Sequence, residues 1–222
     1  RNWQDKRFAV FDGLQKAEAR SRCTSEFLWQ QDADEVVHEL DYEKIIGLCK
    51  NFPRAVKLVS LPVLEYWGNK GKVRCDINPW KWRLSLNDPD ITHGIPIQLR
   101  KFDKENKAYA SQGTDGCDYI SKSTGEMIPH ANFHTHESEK ARVMALNGDS
   151  VSLQKYANWY QAVIDSLPGV HHYSWFDLSR KIHTYKNYWQ THWESLYNVK
   201  QEDTAENNKF FNKPWSEVSD ED

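Results

Sequence analysis

The apolar and polar positions in the N-terminal part of the chain predict a helix, a strand, a helix and a strand, in that order. In FDGLQKAEARSRC, Asp12 is followed three residues later by Gln15, a capping-box start, with Phe11, Leu14 and Ala17 as the inner face. EFLWQQ reads as a short strand, and YEKIIGLCKNF as a second helix capped by Asp41. AVKLVSLPVLEYW reads as a strand in which Pro62 predicts an edge position or an irregularity. This order predicts an α/β sheet.

From Lys70 to about Gly125 the pattern changes. Strand-like pieces (KVRCDI, IPIQLRKFD, KAYAS) are divided by Asn-Asp-Pro, Asp-Lys-Glu-Asn and Gly-Thr-Asp-Gly turns, and LRKFDKENKAYA predicts a hairpin. PHANFHTHESE reads as loop, and SLQKYANWYQAVIDSL as a helix closed by Pro168 and Gly169. Beyond it, Trp175, Leu178, Ile182, Tyr185, Trp189, Trp193 and Leu196 recur at steps of three and four, which predicts one long amphipathic helix.

Composition narrows the function classes. A chain of 222 residues is long enough for a substantial core. A net charge of −3 gives no global pull towards nucleic acid or anionic membrane, so no stable nucleic-acid binding is expected. The four cysteines lack any CxxC pair and read as reduced thiols, which predicts a cytoplasmic protein whose membrane contact, if any, is made through partners. No apolar run reaches the ~20 residues of a membrane span.

The chemistry concentrates at SEFLWQQDADEVVHE, where an apolar run ends in Asp32, Asp34 and Glu35. Buried strands do not ordinarily finish in clustered negative charge, because unpaired ions are costly out of water. In open α/β sheets, ligands collect at the carboxyl ends of strands. Residues two apart on a strand point the same way, so Asp32 and Asp34 at a strand tip are expected to face one point. Hard cations such as Mg²⁺ or Mn²⁺ prefer such oxygen ligands together with substrate phosphates.

These residues resemble the metal-binding segment of family 2-type glycosyltransferases with the GT-A fold. There, a small-and-basic helix, here LQKAEARSRC, leads to a strand ending in Asp-x-Asp. QDADEVVHE resembles a subgroup with Gln-Ala-Asp-Glu-Val-Ile-His-Glu, in which the position of Asp34 is the better-kept carboxylate. NPWKWRLS, HGIP, GTDGCDYI and VHHYSWFDLSRKIHTY continue the similarity, and the last resembles the family's His-Tyr-Gly-Trp segment. The resemblance implies a single GT-A-type catalytic domain over residues 1–222, a mixed sheet flanked by helices. Its metal-motif part would be 1–66, its acceptor-side strands and loops 67–136, and its C-terminal helices 150–222. Only 31 residues precede Asp32, too few for the family's nucleotide-base strands, so a fragment truncated at its N-terminus is expected.

The implied activity is sugar transfer from a nucleotide-diphosphate donor, a UDP- or GDP-sugar, to an acceptor hydroxyl, with inversion. The acceptor is legible only as a class: a glycan, a lipid-linked saccharide or another hydroxyl compound. Asp32, Asp34 and His172 match the metal ligands, with His171 the rival for the nitrogen, which suits Mn²⁺ better than Mg²⁺. Asp118, or else Asp115, is the candidate base, worth ~10²–10⁴ in rate. Glu35, Lys16 and Arg20 are candidates for the diphosphate, the last two one helical turn apart. Trp82 and Arg83, with Trp80 beside them, are candidates for binding sugar or phosphate oxygens. Two other classes compete. His130, His134, His136 and Glu137 are residue types that bind zinc, the basis for a hydrolase. The ten tryptophans fit a non-enzymatic carbohydrate-binding module.

Overall fold

The computed structural model describes residues 8–77, 79–92, 102–103, 108–109, 119–124, 126, 128–189, 202–208 and 210–219. In chain order, the elements begin with α1 (Phe8–Ser21), β1 (Phe27–Trp29), β2 (Glu35–Val37), α2 (Tyr42–Lys50), β3 (Leu58–Trp67), β4 (Asn69–Val73) and β5 (Trp80–Leu86). Short strands follow: β6 (Ile91–Thr92), β7 (Phe102–Asp103), β8 (Ala108–Tyr109), β9 (Ile120–Ser121) and β10 (His130–Ala131). The last are α3 (His136–Leu146), α4 (Ser150–Ser166), β11 (Val170–Trp175) and α5 (Leu178–Thr184).

The chain forms two compact units, each built from separated stretches. One comprises Ser25–Leu86 and Pro129–Phe176; the other comprises Arg1–Thr24, Asn87–Ile128 and Asp177–Asp222. The first unit is a mixed α/β arrangement around a sheet of order β1-β5-β3-β11-β2, with β4 and β10 also pairing with β3. β5 runs antiparallel to β1 and β3, β11 parallel to β3, and β2 antiparallel to β11.

Pro62 sits in the central strand rather than at an edge, and the ladder is arranged around it. On one side β3 meets β10 at Leu58 and Val59, then β11 from Val63 onward, leaving Pro62 between the two. The Val63 N–H points the other way, to the Pro79 carbonyl at 2.7 Å. Alternation therefore turns Pro62, which has no N–H, towards the gap. The expected irregularity is present as a register shift between Val59 and Ser60 on the β5 side. β3 then turns back into β4 through Gly68, whose φ of 69° suits glycine.

Val59, Leu61, Val63, Leu84 and Val170 form the buried core, with Phe27, Trp29, Leu48 and Phe52 packed against it. Each such side chain contributes ~1.5–3 kcal/mol on burial. α2 starts where expected, but Asp41 makes no side-chain capping bond. Its carboxylate instead accepts from the Gly169 N–H at 2.9 Å and pairs with Lys44 at 2.6 Å, tying α2 to the start of β11. α4 matches its expected span and is capped by Asp149.

Several expectations need correction. α1 begins by Phe8, so Asp12 lies inside the helix and is no cap; a run rich in alanine and long polar residues favours helix beyond it. β5 falls on NPWKWRLS, where Trp, Trp and Leu alternate with Lys, Arg and Ser, a strand period not marked among the strand-like pieces above. The PHANFHTHESE segment is not all loop. His136 opens α3 through a capping box in which Thr135 and Ser138 bond each other's backbone N–H. The C-terminal stripe is broken: Trp175 ends β11 opposite Trp67, and Asp177 caps α5 by accepting from the Arg180 N–H at 2.9 Å. A π-helical turn, Tyr185–Trp189, follows, and Trp193 and Leu196 lie outside the described residues.

In the second unit β6 pairs with β9, and β7 with β8, the latter in the hairpin expected at LRKFDKENKAYA. No helix among the described residues is long and apolar enough to cross a membrane.

Candidate active site

The Gln-Asp-Ala-Asp-Glu segment folds as a turn locked by its own side chains. The Glu35 N–H donates to the Asp32 carbonyl at 3.1 Å, and the Asp32 N–H donates back to the Glu35 carboxylate at 3.1 Å. Gln31 Nε2 donates to the Glu35 carbonyl at 2.6 Å. The chain thus bends between the two aspartates instead of continuing as strand, which corrects the expectation that both face one point. Asp32 pairs with Arg83 Nη2 at 2.9 Å, whereas Asp34 turns to His172, its Oδ1 3.4 Å from Nε2.

Beneath the turn lies a buried charge cluster. Glu35 is buried and is held by Arg83 Nη2 and by Lys81 Nζ at 3.3 Å, both from β5. The Arg83 side chain is only 3% exposed, so it serves as an internal strut under Asp32 and Glu35 rather than an open ligand for sugar or phosphate. Lys81 Nζ also lies 3.1 Å from His172 Nδ1, and its side chain keeps 26% exposure.

β11 brings the second half. Its antiparallel pairing with β2 sets His172 opposite Glu35, and its parallel pairing with β3 sets His172 opposite Glu65. The Tyr173 N–H donates to the Asp34 carbonyl at 2.9 Å, which fixes the turn against the strand. The buried Glu65 accepts from His172 Nδ1 at 2.5 Å. Burial disfavours a charged imidazole, but the hydrogen bonds it donates to Asp34 and Glu65 outweigh it and raise the His172 pKa above its ordinary value. The same bond, with the nearby positive charge, holds Asp34 well below the usual carboxylate range.

Adjacent residues on a strand face opposite sides, and the two histidines part accordingly. His171 Nδ1 sits 2.7 Å from the Tyr66 hydroxyl, and burial lowers its pKa. Of the two histidines, it is His172 that meets Asp34.

The remaining candidates fall on several elements. Lys16 and Arg20 lie on α1 in the other unit, where the buried Arg20 guanidinium sits over the Tyr119 ring at 5.8 Å. Trp82 packs against His130 at 4.9 Å, and Trp80 is core, against Trp159 and His134. Asp115 and Asp118 lie outside the described residues. Of the candidate zinc residues, His130 sits on β10, His134 pairs with Glu139 at 3.1 Å, and His136 and Glu137 open α3. Among the described residues no group of three or more His, Cys, Asp or Glu is placed to hold a metal ion by itself.

Two residues of the cluster belong to no motif. Glu65 was readable as the one charged residue in a mostly apolar strand, LVSLPVLEYW, and Lys81 as a cation within β5. Asp34 and His172 offer one oxygen and one nitrogen 3.4 Å apart, a separation suited to two ligands of one divalent ion. Mg²⁺ and Mn²⁺ commonly take few protein ligands and complete their shell with phosphate oxygens and water. The donor pair therefore fits such an ion. No protein-family model, curated protein or solved structure matches this chain.

Proposed function

We propose that this chain carries the metal site of a GT-A-type glycosyltransferase that uses Mn²⁺ or Mg²⁺ and a nucleotide-diphosphate sugar. The observation that carries the reading is the meeting of Asp34 with His172, two residues far apart in sequence that the family resemblance pairs as ligands. An ion bound there supplies Lewis-acid neutralisation of the leaving diphosphate. Asp34 and His172 would hold it, and the hydrogen bond with His172 keeps the Asp34 carboxyl below its usual range. Lys81, the more exposed of the two β5 cations in the cluster, adds positive charge beside the same point. Arg83, Asp32 and Glu35 keep the turn rigid, so the ligand pair is set before substrate arrives.

In the reaction the acceptor oxygen forms a bond to the anomeric carbon while the bond from that carbon to the diphosphate oxygen breaks. The hydroxyl proton passes to a carboxylate base, with Asp118 and Asp115 the candidates, and the nucleoside diphosphate leaves. Attack from the face opposite the leaving group inverts the anomeric centre.

Mn²⁺ titration in the presence and absence of UDP or GDP tests the reading. Wild-type protein is expected to bind Mn²⁺ and to bind the diphosphate more tightly with it, while Asp34→Ala loses both with an unchanged circular dichroism spectrum. Undiminished Mn²⁺ binding by folded Asp34→Ala refutes the assignment.

A further inference from the structure

Glu65 has no place in the Asp-x-Asp or histidine motifs, yet it is the most improbable residue of the central strand. Six of the nine other positions of β3 are both buried and apolar, and Glu65 itself is 3% exposed. A buried carboxylate carries a desolvation penalty of several kcal/mol unless its partners compensate. Arg83, the buried cation nearby, is given to Asp32 and Glu35. Lys81 Nζ bonds Glu35. Glu65 Oε2 takes the His172 ring, and Glu65 Oε1 has no hydrogen-bond partner among the described residues. A leucine would fill the same space in the strand without the penalty.

What leucine would not do is hold the imidazole. The parallel register sets Glu65 directly opposite His172. A carboxylate only accepts, so its 2.5 Å contact places the hydrogen on Nδ1, and Lys81 Nζ, 3.1 Å from the same nitrogen, directs its hydrogens to Glu35 instead. That fixes the ring plane and leaves Nε2 as the nitrogen turned to Asp34. A carboxylate on the far nitrogen of a ligating histidine sets its tautomer and raises its basicity.

We propose that Glu65 is the positioning residue of this site: through Nδ1 it presents His172 Nε2 to a divalent ion shared with Asp34. This rests on the glycosyltransferase reading for the identity of the ion, and on the register and burial of Glu65 for the positioning itself. The two are tested separately on the same variants.

In metal-free protein labelled with ¹⁵N-histidine, the His172 Nδ1–H is expected as a slowly exchanging, downfield NMR signal. Glu65→Gln keeps it, because the amide oxygen still accepts; Glu65→Leu, with its fold verified by an unchanged circular dichroism spectrum, loses it. Electron paramagnetic resonance titration with Mn²⁺ should then show affinity reduced about 10–100-fold in Glu65→Leu, and much less in Glu65→Gln. A Glu65→Leu protein that retains the ring signal, or binds Mn²⁺ as the wild type does, overturns the positioning role. Wild-type protein that shows the ring signal and binds no Mn²⁺ supports Glu65's hold on His172 and overturns the metal-dependent reading.

Discussion

Arg83→Met is the sharpest perturbation of the cluster, because it separates the strut from the ligands it supports. Arg83 is buried and bonds both Asp32, at 2.9 Å, and the fully buried side chain of Glu35. Met fills much of the volume but leaves the Glu35 carboxylate with Lys81 at 3.3 Å and the Asp32 backbone N–H as its remaining bonds. Breaking a buried pair by removing one partner costs about 3–5 kcal/mol, since the other charge stays desolvated. At ~2–4 °C per kcal/mol for a chain of this size, melting should fall by about 6–20 °C. Replacing both partners with apolar residues of similar volume is often neutral. The double variant Arg83→Met with Glu35→Leu should therefore recover much of the loss. Urea unfolding of wild type, the single variants and the double variant measures the coupling directly. A loss below about 1 kcal/mol in Arg83→Met, or a double variant as unstable as the two singles added, refutes the view that Arg83 is retained to neutralise Glu35.

Asp34, depressed below its ordinary 3.8, stabilises the fold above that pH and loses its share as pH falls through its folded value. His172, raised above 6.5, contributes fully below that pH and loses its share as pH rises through its folded value; the stability difference between wild type and Asp34→Asn in chelator should therefore be greatest between about pH 4 and 6.5, and a flat difference from acid to alkaline pH refutes the pairing. His172→Ala should weaken Mn²⁺ binding far more than His171→Ala, whose ring is engaged by Tyr66; the reverse order in a metal titration would exchange their roles. Asp118→Asn should lower transfer about 10²–10⁴-fold with diphosphate binding retained, and an unchanged rate in a sugar-transfer assay removes Asp118 as the base.

The parts of this architecture that local rules govern could be read from the sequence, and the parts set by register could not. α2, α4 and the LRKFDKENKAYA hairpin follow from periodicity and turn residues, because each closes its hydrogen bonds within a short segment. Trp175 shows where that logic fails. Its spacing fits a helical stripe, but pairing with Trp67 on the neighbouring strand claims it for the sheet, and tertiary contact overrides the local period. Pro62 was legible as an irregularity but not as a central-strand residue: it is accommodated because two successive partners of β3 leave a gap where its N–H would have been.

The site follows the same division. The resemblance paired Asp34 with His172 as ligands; what the local pattern did not carry is how they meet, which depends on β11 lying between β3 and β2. Asp32 looked equivalent to Asp34 by spacing, yet the turn closed by Glu35 sends it to Arg83. Neither Lys81 nor Glu65 belongs to any motif, and both enter through strands whose neighbours are remote in sequence. A glutamate embedded in a buried apolar strand is nonetheless a signal that the amino-acid sequence itself carries. The fold retains such a residue against its desolvation penalty only where a partner across the sheet requires it, and here that partner is the histidine that faces Asp34.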